Sequence, residues 1–407
     1  MKNCIVAQSG GPTAAINASL AGVIQGVLHH QEYDHIYGSI NGIIGILEER
    51  FLDLTERFQA KETLEQLKVS PAMYLGSCRY KLPNPKEDIT AFEKIFKFFE
   101  KMEIAAFFYI GGNDSMDTVD KLSAYAAEIQ SNVRIIGIPK TIDNDLCITD
   151  HTPGFGSAAK YVASSLLEIY HDTVIYYVKS VTIVEIMGRD AGWLTAASAL
   201  ARNEYSVAPH FIYLPEAAFD TEVFLKDVRN LLEKYNNVII AVSEGIRDKN
   251  GNYISASRKT TDNFGHSQLS GAGKTLEYLV QDRLNVKVRS IELNVLQRCS
   301  SHIASRTDLE ESFCQGQHGV TLAAEGKTGL MVTIKRESNE PYQVSYGASP
   351  VCEIANKVKS VPPEFITPQG NDVTPEMISY LKPLIQGEPE ITFSQGIPCY
   401  LPVSHLL

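Results

Sequence analysis

Residues 105–115 read AAFFYIGGNDS. Ala105 to Ile110 is an apolar run of the length of a buried strand. Gly111-Gly112 breaks it, and Met116, Val119, Leu122 and Ala126 then recur at helical spacing. On the N-terminal side, Phe92, Ile95, Phe96, Phe99 and Met102 form one apolar face of another helix. Helix, strand, glycine turn, helix is the alternation that predicts a parallel sheet covered by helices on both faces.

The same unit recurs outward from this stretch. Asn3 to Gln8 is a short strand ending in Ser9-Gly10-Gly11-Pro12, and residues 14–28 carry helix-like apolar spacing. Arg134 to Ile138 is another strand, stopped at Pro139, which lacks the N–H needed for regular pairing. A second series begins near Gly154. It has a helix from Ser157 to about His171, a strand from Val181 to Met187, a helix from Gly192 to Arg202, and strands Asn237–Ser243 and Val286–Leu293. Its 407 residues are too many for one ordinary core. The fold class expected is therefore α/β, with two domains and mostly parallel sheets. Toward the C-terminus, Leu322–Ile334, interrupted at Gly326-Lys327-Thr328-Gly329, suggests a hairpin, and the proline-rich Ser360–Pro375 suggests irregular chain.

Composition narrows the partners. With 44% hydrophobic and 21% charged residues the chain reads as an ordinary soluble globular protein. A formal charge of −11 argues against nucleic acid and against anionic membrane as partners. Seven widely spaced cysteines without a CxxC pair point to thiols in a reducing cytoplasm. The first apolar stretch is too short for a signal-peptide core, and no run reaches membrane-spanning length.

In open α/β sheets, ligands bind beyond the carboxyl ends of the strands. Polar residues collect there at Gly10-Gly11, at Gly111–Ser115, at Lys140–Asp145 and at Gly188-Arg189-Asp190. In GGNDS, free backbone N–H groups and the helix dipole suit an anion such as phosphate, although a Gly-Gly before a helix also serves as a plain tight turn. In PKTIDND (139–145), two carboxylates two residues apart, beside a lysine and a threonine, can serve as base and as Mg²⁺ ligand in phosphoryl transfer. The competing reading is an Asx turn with a capping aspartate. Arg189 in MGRDAGWL can neutralise a phosphoryl group in flight or make a surface salt bridge. Arg289 and Arg298 can clamp a sugar phosphate or stand solvated. Gly271-Ala272-Gly273-Lys274-Thr275 imitates a phosphate-binding Walker loop, but position 268 is Gln268 where the first glycine is required, so it reads as a turn opening a helix. Lys179, His266 and the other histidines show no metal-ligand spacing.

In this order, GGPTAAINA (10–18), YLGSCRY (74–80), GGNDSMDT (111–118), PKTIDND, MGRDAGWL (187–194), SEG (243–245) and Arg289 with Gln297-Arg298 resemble the phosphofructokinase family. GGNDS alone is also similar to the GGDG loop of NAD and lipid kinases, which lack the other segments. The resemblance implies two Rossmann-like three-layer α/β/α domains with the active site in the cleft between them. Residues 1–153 plus about 297–360 are expected to bind the phosphoryl donor, and about 154–296 plus 361–407 to bind fructose 6-phosphate.

By the same resemblance, Asp143 is the base toward the sugar C1 hydroxyl, Asp145 its companion carboxylate, and Thr141 lies beside the acceptor. Arg189, with Met187 and Gly188, contacts substrate and the transferred group, and Glu244 binds sugar hydroxyls. Arg298 and Arg289 grip the 6-phosphate, one such arginine coming from a neighbouring subunit, so a homo-oligomer is implied. Gly11 and Arg79 match donor contacts, together with Asn113, Asp114 and Ser115. Mg²⁺ is the implied cofactor, with Asp143 and Asp145 at the metal. Asn113 replaces a Mg²⁺-associated aspartate of the family and can approach metal only through its amide. Val295 replaces a histidine or tyrosine near the sugar phosphate, and Ser180 an arginine donated across an interface, for which Lys179 is a stand-in.

The ATP-dependent enzymes of the family typically read GGDGS and PGTIDND, where this chain has Asp114 and Lys140. That pair resembles the pyrophosphate-dependent branch. A carboxylate about 4 Å from the α-phosphate of ATP would cost roughly 4 kcal/mol at an effective dielectric near 20. That upper bound is about a thousandfold in affinity. Lys140 supplies positive charge to the compact pyrophosphate. The alternatives are an ATP-dependent enzyme and a non-catalytic regulatory homologue. A different sugar phosphate such as sedoheptulose 7-phosphate needs the same grip.

Overall fold

The computed structural model describes residues 2–30, 32–255 and 271–407. His266 and Gln268 lie outside these.

Two sheets organise the chain. The first has seven strands in the order β11-β10-β5-β4-β1-β2-β3, with β1 Asn3–Gln8, β2 Ile36–Ser39, β3 Phe51–Asp53, β4 Ile104–Gly111, β5 Arg134–Pro139, β10 Leu330–Asn339 and β11 Tyr342–Pro350. Its five central strands are parallel, while β3 and β11 close the two edges antiparallel. The second sheet, β7-β8-β6-β9, is wholly parallel, with β6 Ser180–Ile186, β7 Phe211–Tyr213, β8 Asn237–Ser243 and β9 Lys287–Glu292. The α/β class and the mostly parallel sheets read from the alternation are what the molecule has.

β1, β4 and β5 are apolar along most of their length because both faces are covered. On one face of the first sheet, Phe99 and Phe107 pack at 5.6 Å between ring centroids, and Phe92 and Phe96 lie 5.2 and 5.3 Å from Tyr125. On the other face, Leu20, Val23 and Ile24 of the helix Ile16–His29 meet Val320 and Leu322 of the helix Arg306–Ala324. These two helices touch through backbone: a Cβ on Gly22 would lie 2.0 Å from the Phe313 carbonyl oxygen, and one on Gly316 would lie 2.2 Å from that of Ser19. The second sheet is covered by Phe224 and Val228 with Leu276 and Val280 on one side. On the other lie Phe155, Val162, Met377 and Leu381.

Two places depart from the reading of the C-terminal third. Leu322 belongs to the helix Arg306–Ala324, so Gly326–Gly329 connects that helix to β10; the hairpin is β10 with β11. Glycines at 316 and 319 interrupt the apolar pattern of this helix, yet Gly316 is what lets its backbone approach the Ile16–His29 helix, and Gly319 packs on Ile136 and Ile138 of β5. The sequence Gly271–Thr275 does open a helix, Ala272–Leu284, with Gly271 at φ +87°. Asp308 ties the halves of the chain together, accepting from Gly154 N and Ser157 N, each at 2.9 Å, at the start of the helix Phe155–Val174. The C-terminal residues Leu401 and Leu406 pack against the core of the first sheet. No helix among the described residues is long and apolar enough to cross a membrane.

Candidate active site

In the first sheet the strand order reverses between β1 and β4, so the loops that follow them, at Gly10-Gly11 and Gly111-Gly112, open side by side. In the second sheet the reversal lies between β6 and β9, which brings together the residues after Ile186 and after Glu292. One cleft of about 740 Å³ runs between these loops. From the candidate residues it collects Gly11, Arg79, Asn113, Asp114, Ser115, Lys140, Thr141, Asp143, Asp145, Met187, Arg189, Glu244 and Arg298.

At the donor end, the helix Asn113–Glu128 starts at Gly112 without any side-chain cap, and Asp114 stands exposed in its first turn. Gly111 must be glycine, since a Cβ there would lie 1.9 Å from Ser115 Oγ. Lys140 is buried and donates to the Gly11 carbonyl at 2.7 Å. Burial pulls its pKa down to about 8, against the opposing pull of Asp143 and Asp145, while Arg298 lowers it further. Among the described residues Lys140 makes no ion pair with Asp114, so the two charges face the cleft separately.

The PKTIDND turn is held by its threonine. Thr141 Oγ1 accepts from Asp143 N at 3.1 Å and lies 3.2 Å from Asp143 Oδ2. This is not the aspartate-capped turn that competed for the motif. Burial raises the Asp143 carboxyl, opposed by the Thr141 hydroxyl and by Lys140, Arg189 and Arg298. Asp145 is pushed up to about 7 by burial and by the charge of Asp143. From beyond the recognised motifs, Lys359 braces this loop: its N–H donates to the Asp145 carbonyl at 2.7 Å, and its ammonium to Asn144 Oδ1 and the carbonyls of Thr149 and Asp150.

Across the cleft, the Nε groups of Arg189 and Arg298 are buried without a hydrogen-bond partner among the described residues. A buried, unpaired guanidinium N–H is costly unless a ligand completes it. The surface ion pair that competed for Arg189 is made instead by its neighbour Asp190, with Arg247 at 2.6 Å. Arg298 and the Gly10-Gly11 loop meet across the cleft, since a Cβ on Gly11 would come 3.3 Å from Arg298 Nη1. Burial raises Glu244 to about 7, although the Gly188 N–H donates to it at 3.3 Å. Gly188 shapes this loop rather than lining the cleft: at φ +146°, a Cβ there would sit 2.7 Å from the Ala191 carbonyl oxygen.

One candidate lies away from the cleft, and another within it is turned to the backbone. Arg289 lies outside the cleft, half-exposed on β9 and paired with Asp172 at 3.2 Å. Asn113 spends its amide on backbone: Nδ2 donates to the Lys357 carbonyl at 2.5 Å, and Oδ1 accepts from Asn356 N at 2.6 Å. No cluster of three or more His, Cys, Asp or Glu suited to a metal occurs among the described residues. The cleft also takes in Asn294, Asn356 and Val358. The last two lie where no motif marks the sequence, and only the fold brings them to the donor end.

The phosphofructokinase family model matches residues 3–311. This chain belongs to the phosphofructokinase family. It is 40% identical over 399 residues to the pyrophosphate–fructose 6-phosphate 1-phosphotransferase of Halomonas elongata, covering 97% of this chain and 94% of that one. Its fold is similar to the crystal structures of pyrophosphate-dependent phosphofructokinases from Marinobacter aquaeolei (TM-score 0.87, 37% identity, 98% of this chain and 95% of that one) and Nitrosospira multiformis (TM-score 0.88, 36% identity, 98% and 96%).

Proposed function

We propose that this phosphofructokinase transfers a phosphoryl group from pyrophosphate to the C1 hydroxyl of fructose 6-phosphate, giving fructose 1,6-bisphosphate and phosphate. The observation that carries the reading is the pair at the donor end: Asp114 exposed at an uncapped helix start, Lys140 buried beside Gly11. The near-full-length similarity to pyrophosphate-using relatives supports it.

In the mechanism proposed, Asp143 accepts the C1 hydroxyl proton; its raised pKa makes it a better base than an ordinary carboxylate. Lys140 neutralises pyrophosphate, and Arg189 steadies the phosphoryl group in flight, its unpaired Nε suiting that role. Arg298 grips the 6-phosphate, Glu244 the sugar hydroxyls, and Thr141 the acceptor side. Gly11, Arg79 and Ser115 line the donor side. The mutual repulsion of Asp143 and Asp145 leaves negative charge that a cation would relieve. Mg²⁺ would fit there, held by these two carboxylates, and would supply charge neutralisation. Asn113, its amide committed, is dropped from the metal set.

The first-sheet half is proposed as the donor-binding unit and the second-sheet half as the sugar-phosphate unit. Arg289 is proposed to serve the cleft of a neighbouring subunit in a homo-oligomer. It stands at the edge strand of the four-stranded sheet, and Ile175 and Tyr177, in the connection between the helix Phe155–Val174 and β6, expose 72% and 93% of their surface. The seven free cysteines agree with a cytoplasmic setting. The test of the function is the rate of fructose 1,6-bisphosphate formation with pyrophosphate against ATP. Turnover with neither would favour a regulatory homologue.

A further inference from the structure

Asn113 stands at the first position of the helix Asn113–Glu128, and its side-chain amide bonds to the chain 243 and 244 residues downstream. The orientation of its amide is fixed by its partners, because a carbonyl can only accept and a backbone N–H can only donate. Nδ2 therefore takes the Lys357 carbonyl and Oδ1 the Asn356 N–H. An aspartate here would lose the donor and face a carbonyl oxygen with a carboxylate. One turn along the same helix, Asp117 accepts from Asn356 Nδ2 at 2.9 Å and is itself held by Lys121 at 2.7 Å. Asn356 adopts φ +62°, so the segment bends sharply at this point. The segment is fixed at both ends: Ile354 is buried in the core on one side, and Lys359 N–H reaches the Asp145 carbonyl on the other. Between these anchors, Asn356 and Val358 line the cleft.

We infer that the Asn113 amide and the segment 356–358 that it clasps form a fixed wall at the donor end of the cleft, which admits a two-phosphate donor and rejects a longer phosphate chain. The inference rests on the reading of the GGNDS helix start as the donor site. A third phosphate beyond the first two would have to pass Asn356, which lines the cleft and is bonded to both Asn113 and Asp117. Selection for pyrophosphate is then steric as well as electrostatic: Asp114 repels added charge, and the wall removes the room for it.

The test is equilibrium binding by calorimetry of inorganic pyrophosphate and inorganic tripolyphosphate, each with Mg²⁺, to the full chain and to two variants. Asn356→Gly keeps the positive φ and removes the side chain that spans to Asp117; Val358→Ala trims the wall without touching the clasp. Tripolyphosphate is expected to bind both variants about tenfold more tightly than wild type, with pyrophosphate affinity changed by less than about threefold. Tripolyphosphate affinity unchanged in both variants, with pyrophosphate still bound, would overturn the wall. Failure of pyrophosphate to bind wild type would instead overturn the donor reading, and binding detects that difference without requiring turnover. In a third variant, Asn113→Asp, the loss of one clasp bond is expected to loosen the same selection.

Discussion

At the residue scale, the cleft divides its charges between groups that the protein satisfies and groups that it leaves for a ligand. Lys140 already has an acceptor in Gly11, whereas Arg189 and Arg298 each hold an Nε that no atom of the described residues completes. Asp143 is placed by Thr141 at the base of the cleft, and its removal as a base should fall on the chemical step. Asp143→Asn is expected to lower kcat by about 10²–10⁴-fold while the KM for fructose 6-phosphate changes little, as measured by initial rates. Arg298→Met should act on the other term, raising that KM by about ten- to a hundredfold through loss of charge-assisted hydrogen bonds. The proposed roles of these residues were legible because they follow strands directly, where topology restricts what a polar residue can do. Asn113 was legible as a position and not as a role, since its partners at 356 and 357 carry no motif and meet it only in the folded chain.

At the scale of elements, alternating apolar strands and amphipathic helices are clear in the N-terminal part, because a strand buried on both faces has to be apolar throughout. The helix Arg306–Ala324 escaped that logic. Its contact with the helix Ile16–His29 is made by glycine and backbone rather than by a stripe of large apolar residues. Substituting Gly22→Val should therefore cost about 1–3 kcal/mol or more, because the Phe313 carbonyl cannot yield to a Cβ. Urea denaturation should show this as a lower midpoint, whereas an equal midpoint would mean that the two helices can separate freely. The β10–β11 hairpin was misplaced for a related reason: the glycines at 326 and 329 mark the exit from a helix as readily as the turn of a hairpin.

At the scale of the whole molecule, a buried ionic network joins the chain just after the PKTIDND turn to the C-terminal half. His151 lies between Asp150, at 2.7 Å, and Glu311, at 2.6 Å; Arg336 reaches Asp150, and Tyr342 donates to Glu311. Burial disfavours the imidazolium, but Glu311 and Asp150 outweigh it and raise the pKa to about 9. A group raised above its unfolded value near 6.5 contributes stability that is fully present below about pH 6.5 and is lost as pH climbs through 9. Wild type should lose more thermal stability between these values than His151→Gln, whose side chain does not titrate. Equal losses would show that this histidine does not carry the linkage.

Donor choice tests the account most directly. Initial rates of fructose 1,6-bisphosphate formation with Mg²⁺ should be compared for pyrophosphate and ATP, in wild type and in Asp114→Gly/Lys140→Gly. The account predicts rapid turnover of wild type with pyrophosphate alone, and some use of ATP by the double variant; wild-type preference for ATP would contradict it.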